Sequence, residues 1–147
     1  MRCALLVIAC AAVSSQTVAA QSSTMTLSGD PPPLVIMNAI AGDAPLPAQD
    51  VSTLYSVTVV GAGSKITAYI DQVMPSNITL ELTMAAPSGA VSLGPVVLGT
   101  VAQDVVRSLP SGTFSGLSIR YTLRATAAAG VVAPRQRVVS FAIVAGP

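Results

Sequence analysis

Several side chains that carry much of protein chemistry are scarce or missing in this sequence. Among its 147 residues there is no histidine and no tryptophan, and the only two cysteines are Cys3 and Cys10. Without histidine, a Ser-His-Asp triad and a histidine-ligated metal site are excluded. After residue 10 the sequence has no cysteine, which excludes a thiolate nucleophile, a disulfide and a cysteine-ligated metal in that part of the chain.

Charged and aromatic residues are few as well. They make up 9% and 3% of the chain, whereas 52% of the residues are hydrophobic. Disordered chains show the opposite balance, so we expect one folded domain of ordinary size. After the N-terminal segment no apolar run reaches about 18 residues, and no transmembrane helix is therefore predicted.

The first twenty residues have the organisation of a secretory signal peptide. Arg2 provides a positive n-region, Cys3–Val13 is an apolar h-region, and Val18–Ala20 supplies the small residues that signal peptidase reads. We predict cleavage after Ala20 and a secreted, periplasmic or cell-surface location.

A lipid anchor is the alternative to simple cleavage. Val7–Cys10 resembles a bacterial lipobox, in which Cys10 would be acylated, although the apolar stretch ahead of it is short. The predicted organisation is a signal peptide at 1–20, a tail or edge strand at 21–33 and a β-sandwich domain at 34–147. An exported domain of this size without disulfides favours a bacterial origin.

The rest of the chain alternates between apolar and polar residues in short runs separated by turn signals. Ile78–Met84 is the clearest, with apolar residues at every second position. This pattern predicts an all-β protein, an antiparallel immunoglobulin-like β-sandwich of about seven to nine strands. The predicted strands are Leu34–Ile40, Thr53–Val60, Lys65–Gln72, Ile78–Met84, Ser92–Gly99 as an edge piece, Val101–Leu109, Gly116–Ala128 and Gln136–Ala145.

We predict that the last two strands form the central hairpin of the sandwich. Facing their apolar sides places Leu123 opposite Phe141, with Tyr121 opposite Ile143, Ala125 opposite Val139 and the turn near Val132. Arg120 and Arg124 would then lie on the outward face beside Ser140 and Ala142.

Two local features add to this prediction. Gly61–Ser64 is a predicted hairpin turn, since its glycines tolerate positive φ. Tyr121 is interpreted as an ordinary core aromatic, with the tyrosine corner of immunoglobulin-like domains as the alternative.

Charge is unevenly distributed along the mature chain. Without Arg2 it has six cations and six anions, a balance that gives no indication of nucleic-acid binding. Residues 21–100 hold one cation and five anions, and residues 101–147 hold five cations and one anion. We expect acidic and basic strands to pair across the sheet surface. The alternative is a polar module that stacks head to tail with other copies.

Few chemical sites are compatible with the remaining residues. Asp43 and Asp50 share a loop and would bind calcium weakly at most, since no D-x-D-x-D spacing occurs. Asn77–Thr79 matches a glycosylation sequon, which matters only in a eukaryotic secretory route. No G-x-S-x-G or phosphate-loop motif is present. We therefore predict no catalytic, cofactor-binding or metal-binding residues, and a protein that is not an enzyme.

Three segments resemble small uncharacterised secreted bacterial proteins with an immunoglobulin-like or pilin-like β-sandwich. They are Tyr55–Thr58, Ala102–Val106 and Arg137–Ile143, which match Y-S-V-T, A-Q-D-V-V and R-x-V-x-F-x-I. The likeness spans most of the mature chain and implies a fold, with no activity attached.

Two functions of different classes are compatible with these observations. The first is a non-catalytic structural or adhesive surface protein, with self-association or a cell-surface partner, including pilin-like strand addition by Ser22–Ser28 of a neighbour. The second is an extracellular small-molecule or glycan-binding module, which would need a concave polar or aromatic site.

Overall fold

A computed structural model describes residues 22–37 and 43–146. The predicted signal peptide, both cysteines and the lipobox lie outside the described residues. Ten β-strands and one turn of 3₁₀ helix make up the regular structure of the described part. They are β1 (Thr24–Leu27), β2 (Ala48–Asp50), β3 (Leu54–Val59), β4 (Ser64–Ile70), β5 (Ile78–Met84), β6 (Val91–Ser92), β7 (Val96–Val97), β8 (Gln103–Leu109), β9 (Gly112–Ala125), the 3₁₀ turn Ala127–Ala129 and β10 (Val139–Val144).

The strands form two antiparallel sheets. The first has the order β1-β3-β9-β5-β7, with β2 also paired with β9, and the second has the order β10-β4-β8-β6. The prediction of an all-β chain with antiparallel sheets is therefore confirmed. No helix in the described ranges is long and apolar enough to cross a membrane.

The strands differ from the prediction at three places. Ser92–Gly99 divides into β6 and β7, which belong to different sheets, because Gly94-Pro95 interrupts the ladder where proline lacks a donor. β2 forms in a segment whose Gly, Pro and Asp content predicted a loop. Of the predicted strand Leu34–Ile40, residues 34–37 have no regular structure and residues 38–40 lie outside the described ranges.

A long antiparallel ribbon passes through both sheets. β3 pairs with β9 in the first sheet, and their continuations β4 and β8 pair in the second. Both strands change sheet at the same corner, where Val59 pairs with Gly112 and Ser64 pairs with Leu109. The amide of Gly63 closes this corner by donating to the carbonyl of Leu109 over 2.9 Å.

The turn predicted at Gly61–Ser64 is present, but the prediction that it joins two paired strands is wrong. Gly61 and Gly63 do take φ values of 86°, the left-handed region that favours glycine. However, the strands on either side belong to different sheets and do not pair with each other. Glycine content predicts a change of chain direction, but it does not determine which strand becomes the neighbour.

The predicted central hairpin is also wrong. β9 lies in the first sheet, where Leu123 pairs with Ala48 and Leu80, while β10 lies in the second, where Phe141 pairs with Ala68. Neighbouring strands already occupy both sides of the C-terminal half of β9. The connection at 126–138 is long enough to cross the roughly 10 Å between packed sheets. Arg120 and Arg124 consequently lie beside β5 instead of β10.

The core lies between the two sheets and contains most of the apolar side chains that the alternation predicted to be buried. Its largest fully buried side chains include Tyr55, Ile66, Leu82 and Ile119. Tyr121 is buried among them, as the core-aromatic interpretation requires. A tyrosine hydroxyl does donate to the backbone, but it is that of Tyr55, whose acceptor is the carbonyl of Ala85.

Candidate functional site

One flank of the sandwich exposes two strand edges side by side. These are the outer edges of β1 and β10, which we call the open flank. Among the residues that the structure describes, each strand has a ladder partner on one side only, β3 and β4 respectively. Cα atoms of β1 and β10 approach within 8 Å, yet no ladder joins the two strands. The first and last strands of the described chain therefore meet here without closing the two sheets into a barrel.

The hydrogen bonds of β4 identify which groups of β10 point outward. Asp71 N donates to Val138 O over 3.1 Å, whereas Ile70 N donates away from β10, to Gly99 O, over 2.9 Å. Because the bonding direction alternates along a strand, residues 138, 140, 142 and 144 of the last strand face β4. The backbone N–H and C=O groups of residues 139, 141 and 143 consequently point outward.

The same reasoning applies to β1. Ser28 N donates to Leu54 O over 2.9 Å, so residues 24, 26 and 28 face β3. The outward backbone groups are those of Met25 and Leu27. Side-chain bonds reinforce this attachment, because the hydroxyls of Ser28 and Ser23 accept from the amides of Leu54 and Val60 over 2.9 Å each.

β10 lacks the devices that usually protect an edge strand. Its sequence VSFAIV has no charge, proline or glycine, and its six pairs with β4 run without a bulge. Val139, Phe141 and Ile143 pack against the core, while Ala142 and Val144 are exposed. The outward backbone groups thus belong to the residues whose side chains face inward.

The opposite flank is protected. There the edge strands β6 and β7 have two residues each and are joined through Gly94-Pro95, which carries the chain from one sheet to the other. Very short edges and proline prevent further pairing. The asymmetry between the flanks singles out the open flank as the candidate interaction site.

A second candidate is a shallow groove at the end of the first sheet. The loop 44–47 forms one wall, and residues 77–79 of β5 and its turn with residues 124–126 form the other, around a cavity of about 480 Å³. Asn77 holds the turn with a φ of 64°, a conformation that asparagine tolerates. Arg124 reaches Glu81 over 2.9 Å and gives the groove its charged group.

One of the two predicted calcium candidates, Asp50, has partners within its own loop. Asp50 accepts hydrogen bonds from the amide and hydroxyl of Ser52 over 3.2 and 3.0 Å, so its carboxylate caps a local turn. Within residues 22–37 and 43–146, no three His, Cys, Asp or Glu side chains come close enough to hold a metal ion. The geometry gives the weak calcium hypothesis no support.

Within the described ranges, two ion pairs join residues 21–100 to residues 101–147. Arg124 on β9 pairs with Glu81 on the neighbouring β5, as expected for pairing across the sheet surface. Asp104 binds Lys65 and Arg107 over 3.1 and 3.0 Å. Burial disfavours ionisation of Asp104, but hydrogen bonds and charge from Lys65 and Arg107 outweigh it and lower its pKa.

Comparison with protein-family models, with curated proteins and with solved structures found no match.

The open flank is not predicted from the sequence, because the predicted hairpin gives β10 a neighbour in β9. A signal for it is nevertheless present in the sequence. Val139–Val144 is an apolar run that contains none of the charged or proline residues that protect an edge.

Proposed function

We propose that this chain is a non-catalytic structural or adhesion-type protein of the secreted or cell-surface class, and that it self-associates by strand addition. The observation that carries the proposal is the unprotected edge of β10, with three residues whose backbone groups point outward. Such an edge is a template for another strand. The segment 1–20 would provide export, and an immunoglobulin-like topology of the two sheets stays a prediction.

Oligomeric state is the direct test. The exported chain, begun at Gln21, should form dimers or longer assemblies in light scattering coupled to size exclusion, with filaments sought by electron microscopy. A chain that stays monomeric up to about 1 mM, the weak end of specific association, would overturn the proposal. Fractionation of the producing cells tests the predicted location separately.

Small-molecule or glycan binding is the second candidate, and the groove beside loop 44–47 favours it. Asn77, Thr79 and Thr126 line the cavity with Arg124 and provide polar groups of the kind that orient a ligand. A glycan array probed with the parent chain and with Thr79→Val should show binding that the variant loses. An array without any specific signal would remove this candidate.

A further inference from the structure

We propose that the partner of β10 is the β10 strand of a second copy, paired antiparallel about a two-fold axis at Phe141. This inference rests on the proposed self-association and specifies its register. The outward backbone groups belong to residues 139, 141 and 143, which are symmetric about Phe141. Placing Phe141 opposite itself therefore sets Val139 opposite Ile143 of the second copy.

This register satisfies every outward group of the strand. In an antiparallel ladder, each hydrogen-bonded pair exchanges two bonds, so three such pairs form about six bonds. A one-residue shift would set outward groups against residues whose bonds are already made to β4. The symmetry makes the contact self-complementary, and it closes as a dimer.

Side chains and charge are compatible with this arrangement. A two-fold axis perpendicular to the sheet keeps Val139, Phe141 and Ile143 of both copies on the inner face. The four-stranded second sheets of the two copies then form one continuous sheet of eight strands. The nearest flanking charge, Arg137, would lie opposite residue 145 of the other copy. The two Arg137 side chains are then about 27 Å apart along the strands, which avoids like-charge repulsion.

A mixed-cysteine experiment tests the register, because the mature chain has no cysteine of its own. In the proposed ladder, Ser140 lies opposite Ala142 of the second copy in a non-hydrogen-bonded pair. The Cα atoms of such pairs are about 4.5 Å apart, which suits a disulfide. An equimolar mixture of Ser140→Cys and Ala142→Cys should therefore form a disulfide-linked heterodimer on mild oxidation.

Each single variant is the control for the other. Two copies of Ser140→Cys would place their cysteines on a diagonal about 7–8 Å apart, as would two copies of Ala142→Cys. Each variant alone should remain mostly uncrosslinked. Equal crosslinking with and without mixing would overturn the Phe141-centred register.

Proline substitution tests the edge itself. Val139→Pro removes an outward donor without touching the bonds to β4, and both copies lose one bond. The dimer dissociation constant should rise on the order of ten- to a hundred-fold. Val97→Pro is the matched control, because Leu98 N donates to Leu80 O and the amide of Val97 therefore points outward from β7, on the opposite flank.

The outcomes separate the register from the proposed function. A chain that dimerises without the heterodimeric crosslink, or whose dimer resists Val139→Pro, overturns the β10–β10 contact and leaves self-association standing. A chain that is monomeric at about 1 mM overturns both. Circular dichroism of each variant confirms that folding is retained before its association is compared.

Discussion

Raising the pH from 10 to 12 should destabilise this protein strongly by ionising two tyrosines of its core. Tyr55 and Tyr121 are 1% and 3% exposed. Burial raises the pKa of each hydroxyl to about 12, and the charges of Asp50 and Asp30 add to the effect at Tyr121. An unfolded tyrosine ionises near pH 10.

The direction follows from proton linkage. Between pH 10 and 12 the unfolded chain releases protons that the folded chain retains, so the free energy of unfolding falls as the pH rises. The stabilisation is fully present below pH 10 and is lost through pH 12. A shift of about 2 units corresponds to about 2.7 kcal/mol for each tyrosine, or about 5 kcal/mol together. That is comparable to the whole stability of many domains.

Urea unfolding at pH 9, 10, 11 and 12, followed by circular dichroism, measures the loss, and phenolate absorbance reports ionisation in the folded state. Tyr121→Phe should remove about half of the pH dependence at little cost at neutral pH, because the Tyr121 hydroxyl makes no hydrogen bond to another described residue, unlike that of Tyr55. Tyr69→Phe, at a tyrosine that is 38% exposed, is the matched control and should keep the full loss. If Tyr121→Phe and the parent lose equal stability between pH 10 and 12, the burial argument is refuted.

Three further changes test the core and the ion pairs by urea unfolding. Thr53→Val should raise the free energy of unfolding by about 1 kcal/mol, because the buried Thr53 hydroxyl has no hydrogen-bond partner in the described part of the chain; a clear loss would mean that the hydroxyl is satisfied. Asp104→Asn should lower stability by about 0.5–1 kcal/mol at pH 7, since its pKa is lowered in the folded state, and the difference should shrink as the pH falls below about 4. A difference that persists at pH 2 would contradict the role of charge. Leu82→Ala should cost about 3 kcal/mol, because Leu82 is fully buried, whereas Val97→Ala at a half-exposed edge should cost well under 1 kcal/mol.

The sequence predicted which side chains of a strand face the core more reliably than it predicted which strands pair with each other. Alternation in Ile78–Met84 and Gly116–Ala125 predicted most of the side chains that enter the core, because burial of an apolar side chain is favourable whichever strand lies beside it. It failed near the end of β9, where Leu123 lies outside the core and Thr122 of the polar parity is buried. Pairing is a non-local property. β9 has apolar residues that fit β10 as well as they fit β5, and only the occupied sides of β9 exclude the hairpin.

Local sequence patterns also could not predict where the chain passes from one sheet to the other. The turn at 60–63 contains the glycines of a hairpin, yet the ribbon of β3–β4 with β8–β9 bends there across both sheets. A single alternation, VSFAIV, predicted a strand but left its partner open. The candidate site therefore became visible only when the topology left β10 with one neighbour.

The C-terminal end of β10 depends on one close approach that only glycine permits. A Cβ added to Gly146 would lie 1.9 Å from the carbonyl oxygen of Gly63, at the corner where the ribbon changes sheets. Gly146→Ala must therefore lift the end of β10 or displace the corner. We expect it to destabilise the fold by about 1–2 kcal/mol, as local overpacking does.

Hydrogen exchange locates this effect, because the amides of residues 142 and 144 bond to β4. Gly146→Ala should speed exchange at Val144 more than at Ser140, since the strand would open from its C-terminal end. Gly99→Ala is the matched control, with no atom within 4 Å of its added Cβ. If Gly146→Ala matches Gly99→Ala in both stability and exchange, contact with the corner does not hold the end of β10. In that case the hydrogen bonds to β4 alone would hold β10 in position.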